Sequence, residues 1–255
     1  MRTVAIVQAR MGSSRLPGKV LADLGGDTML ARVVERLRAA RRIAAIAIAT
    51  STHAGDDAIV REAERLGAVA YRGSEGDVLA RYLGAARATQ ADAVVRVTSD
   101  CPLLDPGVVD EVVAALGDDV DYASNTHART YPRGLDVEAL HRDTLERIAR
   151  LGTSPAAREH VTAFVLERPD LFCTRQVCAP SSSGLPIDDS DLRWTVDTPE
   201  DLALVRALYA RFDLAREAMP YRALVAAMRA HPELAILNAH VAQKPTFGEE
   251  AGRAP

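Results

Sequence analysis

Three cations sit close together near the start of the chain, Arg10, Arg15 and Lys19, within the run Gln8-Ala9-Arg10-Met11-Gly12-Ser13-Ser14-Arg15-Leu16-Pro17-Gly18-Lys19-Val20-Leu21. Glycines let backbone amides approach an anion, and arginine forks grip phosphate oxygens in pairs. A lysine acts instead as a point charge that can follow negative charge onto a leaving group. A triphosphate matches this set. The run is not a P-loop, because Gly12 and Gly18 stand one residue too far apart and Val20 replaces the magnesium-binding Ser or Thr; the three-glycine dinucleotide fingerprint is absent as well.

Two aspartates complete the chemistry. Asp100 follows the apolar run ending Arg96-Val97-Thr98-Ser99, and Asp197 follows Trp194-Thr195-Val196. A carboxylate leaving a strand can hold magnesium, which takes one or two carboxylates and lets a nucleotide supply further oxygens. Each aspartate also suits a helix N-cap. Asp105 before Pro106 fits that use well and is assigned to it, whereas Asp197 is raised above a cap only by its pairing with Asp100.

The elements that must position these groups alternate in two periods. Thr3 to Gln8, Ile43 to Thr50, Ala68 to Tyr71 and Ala93 to Thr98 are short runs rich in Val, Ile or Ala, as in strands buried on both faces. Between them, Thr28 caps a helix over Met29 to Ala40, Asp56 begins one that Gly67 ends, and Asp77 to Ala88 has helical spacing. The expectation is a βαβαβαβ α/β fold with a mostly parallel sheet, whose strand-end loops converge on one crevice. From Asp121 to Cys178 the alternation weakens, with a strand at Leu135 to Leu140 and a helix from Pro155 to Leu166. Residues 121–180 are read as an inserted lid, acceptor or dimerisation element within a single domain over 1–242. Ser181 to Asp191 is loop-like, Arg193 to Val196 is read as a strand returning to the sheet, and helices follow from Pro199, around Tyr221 to Ala230 and over Pro232 to His240. Residues 243–255 are expected to be a mobile tail.

Composition narrows the function. The 255 residues are 48% hydrophobic and 26% charged, enough for one large core. A net charge of -4 and only 4% aromatic residues argue against nucleic-acid binding. Three cysteines, Cys101, Cys173 and Cys178, support neither a disulfide framework nor a zinc site. No apolar run approaches the roughly 20 residues of a membrane span, and Met1 leads directly into a strand-like run, so a cytoplasmic protein without a membrane partner is expected.

Ala5 to Leu21 (AIVQARMGSSRLPGKVL), Val94 to Asp105 and Thr195 to Leu202 resemble the cytidylyltransferases that activate acidic sugars, the acylneuraminate and 3-deoxy-manno-octulosonate enzymes, and most closely the spore coat polysaccharide biosynthesis protein F type. Gly73 to Tyr82 (GSEGDVLARY), Tyr131 to Glu138 (YPRGLDVE) and Arg158 to Thr162 (REHVT) extend the match. The resemblance implies a three-layer α/β sandwich of Rossmann-like nucleotidyltransferase fold, commonly a homodimer, that uses CTP and Mg2+. It implies triphosphate contacts at Arg10 and Lys19, a base site near Gly73 and Ser74, and magnesium on Asp100 and Asp197. Arg10, Lys19 and Asp100 are the catalytic candidates, and Ala9, Met11, Gly12, Ser13, Arg15, Arg96 and Ser99 join the nucleotide set. Ser99 departs from the family's usual glycine. Arg133, Glu138, Arg158 and His160 are the candidates for holding a small acidic acceptor such as a 2-keto sugar acid, the two arginines as a carboxylate clamp. Asp136 and Glu159 fit a solvated face equally well, and His53, His127 and His141 have no stronger claim.

The expected reaction is transfer of CMP to that acceptor, with release of pyrophosphate, for surface polysaccharide or glycoconjugate synthesis. An enzyme of the same fold acting on a phosphate or phosphonate, or using another nucleotide, is the nearest alternative. A nucleotide-sugar glycosyltransferase would place two aspartates close together in one loop, and Asp105 is too far from Asp100. A non-catalytic nucleotide-binding module is disfavoured by the presence of both aspartates and all three loop cations.

Overall fold

A computed structural model of the chain describes residues 1–180 and 187–243. Strand β1 (Thr3–Gln8), helix α1 (Met29–Ala39), β2 (Ala45–Ser51), α2 (Asp57–Arg65), β3 (Val69–Gly73), α3 (Val78–Ala88) and β4 (Ala93–Thr98) alternate as the hydrophobic pattern requires. β1 pairs in parallel with both β2 and β4. Valine, isoleucine and alanine fill β1 and β2 because both faces of these strands are buried, which removes any polar alternation. The helix ends follow local chemistry. Thr28 Oγ1 accepts from Ala31 N at 3.0 Å, Asp77 Oδ1 accepts from Ala80 N at 2.9 Å, and Gly67 ends α2 in the left-handed region.

Among the described residues the sheet has seven strands in the order β3-β2-β1-β4-β6-β5-β7, the last three being β6 (Glu138–His141), β5 (Tyr122–Ser124) and β7 (Thr174–Gln176). Ala5 and Val7 of β1 pack with residues of α1, α2 and α4 (Pro106–Ala115), while Val4 and Ile6 pack on the opposite face with residues of α3. The chain therefore crosses to the other side of β1 after β3, and the reversal point lies between β1 and β4. Loops leaving those two strands diverge, which opens a crevice at their carboxyl ends.

Beyond β4 come α4 (Pro106–Ala115), β5 (Tyr122–Ser124), β6 (Glu138–His141), α5 (Arg142–Leu151), α6 (Pro155–His160), α7 (Ala163–Glu167) and β7 (Thr174–Gln176). Asp105 caps α4, accepting from Gly107 N at 2.7 Å and Val108 N at 3.2 Å. β6 runs antiparallel to both β4 and β5, so the sheet continues through this stretch of weaker pattern. The single helix expected over Pro155 to Leu166 is two helices, broken where Val161 takes a φ of 58°.

Arg193 to Val196 does not return to the sheet as a strand. β6 already occupies the edge of β4, and the segment forms only an isolated bridge between Arg133 and Arg193. The amides of Trp194 and Thr195 both donate to Arg133 O, at 2.6 and 3.1 Å, and Val196 N donates to Asp100 O at 2.8 Å. Gly134, with φ of 108°, makes this approach possible: a Cβ there would lie 2.6 Å from Thr195 N. The chain closes with α8 (Pro199–Phe212), α9 (Tyr221–Ala230) and α10 (Pro232–Ala235), the last shorter than expected. Of the expected tail, only Gln243 lies within the described residues. Among these residues no helix is long and apolar enough to cross a membrane.

Replacing Gly134 by alanine combines a disfavoured φ with a backbone clash and is expected to cost about 2–4 kcal/mol. Urea melts should register the loss; a G134A protein as stable as wild type would contradict the close packing of Gly134 on Thr195.

Candidate active site

β1 passes into Ala9, whose amide donates to Ala49 O at 3.2 Å, and the following loop folds around Met11. The Met11 carbonyl accepts from Ser13 N and Gly18 N, both at 2.9 Å. Met11 N donates to Asp56 Oδ1 at 2.8 Å. Asp56 was expected to start α2, yet its carboxylate caps none of that helix and ties the loop to β2 instead, accepting from Ser51 Oγ at 2.5 Å. Burial pushes the Asp56 carboxyl up, but these donors outweigh it and hold it below its ordinary value. Gly18, at φ of 73°, then turns the chain into the short helical turn Lys19–Leu21.

That turn aims Lys19 at the two expected aspartates. Its ammonium donates to Asp100 Oδ2 at 3.0 Å, Asp197 Oδ1 at 2.9 Å and Val196 O at 2.6 Å, so all three of its protons are engaged. Burial pulls the Lys19 pKa down, but the Asp100 and Asp197 carboxylates more than offset this and raise it above the ordinary lysine value. Thr98 Oγ1 steadies Asp100, donating to Oδ1 at 2.5 Å. Asp197 Oδ2 receives Arg15 at 3.0 Å and Arg193 at 2.9 Å. Burial raises the Asp197 pKa, and Lys19, Arg15 and Arg193 together bring it below the ordinary value. Asp197 is not the cap of α8: Thr198 is, in a reciprocal capping box with Asp201. Two carboxylates therefore each place an oxygen within 3.0 Å of one cationic atom, a donor set that also fits a hard divalent cation.

A cavity of about 560 Å³ opens beside this cluster, and Arg15, Asp100 and Asp197 are among the residues that line it. Of the other expected residues, Arg96, Arg133, Glu138 and His160 line it. Arg96 and Glu138, expected to contact different substrates, form an ion pair with each other. Glu138 also accepts from Tyr122 OH at 2.5 Å and Thr162 Oγ1 at 2.7 Å. Burial raises its pKa, but Arg96 and the two hydroxyls prevail and keep it below the ordinary glutamate value.

Several expected residues do not meet the cavity. Gly73 ends β3, where its carbonyl accepts from Thr52 N at 3.0 Å, and the Ser74 carbonyl accepts from Arg81 at 2.5 Å; neither lines the cavity. Arg158 is turned away from it, donating to Asp77 Oδ2 at 3.4 Å and Ala149 O at 3.0 Å, so its guanidinium is committed to the start of α3 and the end of α5. Arg10 is exposed and near enough to Arg81 for the like charges to interact. Gly12 and Ser13 lie in the same loop, and Ser99 is buried with its amide on Gln8 O at 3.1 Å.

Other lining residues carried no clear signal. Asp136 accepts Arg129 through both oxygens, at 2.5 and 3.0 Å. His127 stacks on Tyr122 with ring centroids 5.4 Å apart, and burial lowers its pKa, which favours the neutral imidazole at pH 7. Arg193 and Asp201 were legible in principle, from the four-residue spacing to Asp197 and the Thr-x-x-Asp capping pattern.

The mostly parallel sheet, its reversal point and the strand-end cluster of Lys19, Asp100 and Asp197 are the arrangement expected of a nucleotidyltransferase. The family model for cytidylyltransferases matches residues 4–209. The chain is 33% identical over 214 residues to the spore coat polysaccharide biosynthesis protein SpsF of Bacillus subtilis, covering 81% of this chain and 85% of that one. It is 34% identical over 250 residues to a 3-deoxy-manno-octulosonate cytidylyltransferase of an Anaeromyxobacter species, covering 82% and 98% of the two chains. The structure of a cytidylyltransferase from Leptospira borgpetersenii superposes with a TM-score of 0.85 at 32% identity, covering 92% of this chain and 97% of that one. The chain belongs to the cytidylyltransferase family.

Glu138→Gln leaves Arg96 buried without its counter-charge and is expected to cost about 3–5 kcal/mol. Because the folded Glu138 pKa lies below the unfolded value of 4.5, its contribution is present above that value and lost as pH falls through the folded one. Urea melts between pH 7 and pH 3 should therefore show wild type losing more stability than E138Q; parallel curves would refute the assignment.

Proposed function

We propose that this protein transfers CMP from CTP to a small acidic sugar, a 2-keto sugar acid such as a nonulosonate, and releases pyrophosphate. The observation that carries the reading is the Lys19 ammonium held between Asp100 and Asp197, two carboxylates that line the cavity. Asp100 and Asp197 are the residues that would hold magnesium. Bound there, magnesium would neutralise negative charge on the polyphosphate. Lys19, released from the carboxylates, turns its ammonium to phosphate oxygens, with Arg10 and Arg15 gripping the others.

An acceptor hydroxyl, the anomeric one in a 2-keto acid, attacks the α-phosphorus in line. The new oxygen–phosphorus bond forms as the bond to pyrophosphate breaks, the hydroxyl proton passes to solvent, and charge develops on the leaving group where the loop cations wait. Positioning and charge neutralisation supply the catalysis, and no covalent enzyme intermediate is needed. Arg133 and His160 are the lining residues proposed to meet the acceptor, with the Arg133 guanidinium donating to the acceptor's carboxylate. The acceptor class and a role in surface polysaccharide synthesis are supported by the names of the relatives, which act on 3-deoxy-manno-octulosonate or belong to spore coat polysaccharide synthesis.

Pyrophosphate release should be measured with magnesium across CTP, UTP, ATP and GTP against 2-keto sugar acids, sugar phosphates and phosphonates. Release with CTP and a keto acid is the expected result. Release only with another pair would move the protein to a different substrate, and none with any pair would end the reading. Lys19→Ala and Asp100→Asn are each expected to lower turnover about 10²–10³-fold with unchanged circular dichroism; full turnover in both variants would remove these residues from the chemistry.

A further inference from the structure

The two oxygens of Asp197 face different partners. Oδ1 accepts from Lys19 at 2.9 Å, on the side of Asp100, whereas Oδ2 accepts from Arg193 at 2.9 Å and Arg15 at 3.0 Å. Arg15 comes from the exposed loop, but Arg193 is embedded, its side chain 10% exposed. Its Nε and Nη2 donate to the two oxygens of Asp201 at 2.9 and 3.0 Å, and its Nη1 donates to Gln243 Oε1.

Asp201 anchors this guanidinium from behind. It is fully buried and also accepts from the amides of Asp197 at 2.9 Å and Thr198 at 3.1 Å, and from Asn238 Nδ2 at 2.8 Å. One carboxylate thus fixes both the backbone of Asp197 and the guanidinium that grips its side chain. Only the planar fork of arginine spans Asp197, Asp201 and Gln243 at once; a lysine in its place offers a single point charge. Arg193 thereby holds Gln243, from the segment beyond α10, at the cavity that Gln243 lines.

We propose that Arg193 is a positioning residue: it locks Asp197 Oδ2 so that Oδ1 stays aimed toward Asp100, and so sets the affinity of the site for a divalent cation. The inference rests on the reading of Asp197 as a cation ligand. Groups that orient a metal ligand from behind typically contribute 10–100-fold to metal affinity. Arg193 meets no substrate in this account and acts only through Asp197.

The test is Mn2+ binding to the full chain with CTP and no acceptor, read from the electron paramagnetic resonance signal of free Mn2+, for wild type, Arg193→Gln, Arg193→Lys and Asp201→Asn. R193Q is expected to weaken Mn2+ binding about 10–100-fold, with R193K and D201N weakened in the same direction. In turnover assays, excess Mn2+ should return kcat for R193K and D201N most of the way to wild type while the half-saturating Mn2+ concentration stays raised. Should R193Q fail to fold, R193K and D201N carry the same measurement. Variants with lower melting temperatures but wild-type Mn2+ affinity would reduce Arg193 to a structural role and overturn the inference. So would variants whose kcat stays lost at saturating Mn2+. Wild type that binds no Mn2+ alongside CTP would overturn the reading of the site itself, which separates the two failures.

Discussion

The strand-end crevice of this molecule is held together by one ammonium and two carboxylates. Asp100 and Asp197 would repel each other if brought together alone in a partly buried crevice. Lys19 lies between them, with its remaining proton on Val196 O, and makes their convergence favourable. The same triangle is a store of charge that can be rearranged: carboxylates suited to a cation on one side, and on the other an ammonium suited to phosphate once it is released.

The fold brings those three residues together from distant parts of the chain. Lys19 follows β1 and Asp100 follows β4, neighbouring strands at the reversal point of the sheet, where outgoing loops must part. Asp197 reaches the same place by another route. Its segment is laid against Arg133, over a glycine with no Cβ to obstruct it, and is tied to the Asp100 carbonyl. Thr198 takes over the capping of α8, which frees the Asp197 side chain to face Lys19. Helix capping and the ion pair with Lys19 fall to adjacent residues and do not compete for one carboxylate.

The β1 to β4 half was readable in advance because burial on both faces leaves unbroken runs of Val, Ile and Ala, and because Thr28, Gly67 and Asp77 mark helix ends by chemistry local to each. The Lys19, Asp100 and Asp197 set was readable because each aspartate follows an apolar run and Lys19 stands with Arg10 and Arg15 in the loop after the first strand. What stayed hidden depends on contacts between distant segments. Arg96 and Glu138, 42 residues apart, satisfy each other across β4 and β6, and no local pattern reports that pairing. Arg158 sits in a polar stretch whose composition suits a substrate clamp, yet the turn of α6 commits it to Asp77. The segment 193–196 has a strand's apolar character but finds the edge of β4 already taken. Val161 breaks what reads as one helix, in a conformation that valine propensity would not suggest.

The most direct test of the account is a crystal structure of the full chain with CTP and magnesium. The account predicts the cation between the Asp100 and Asp197 carboxylates, with the Lys19 ammonium moved onto phosphate oxygens and Arg193 still on Asp197 Oδ2. A structure in which CTP binds elsewhere while Lys19 still bridges both carboxylates would contradict it.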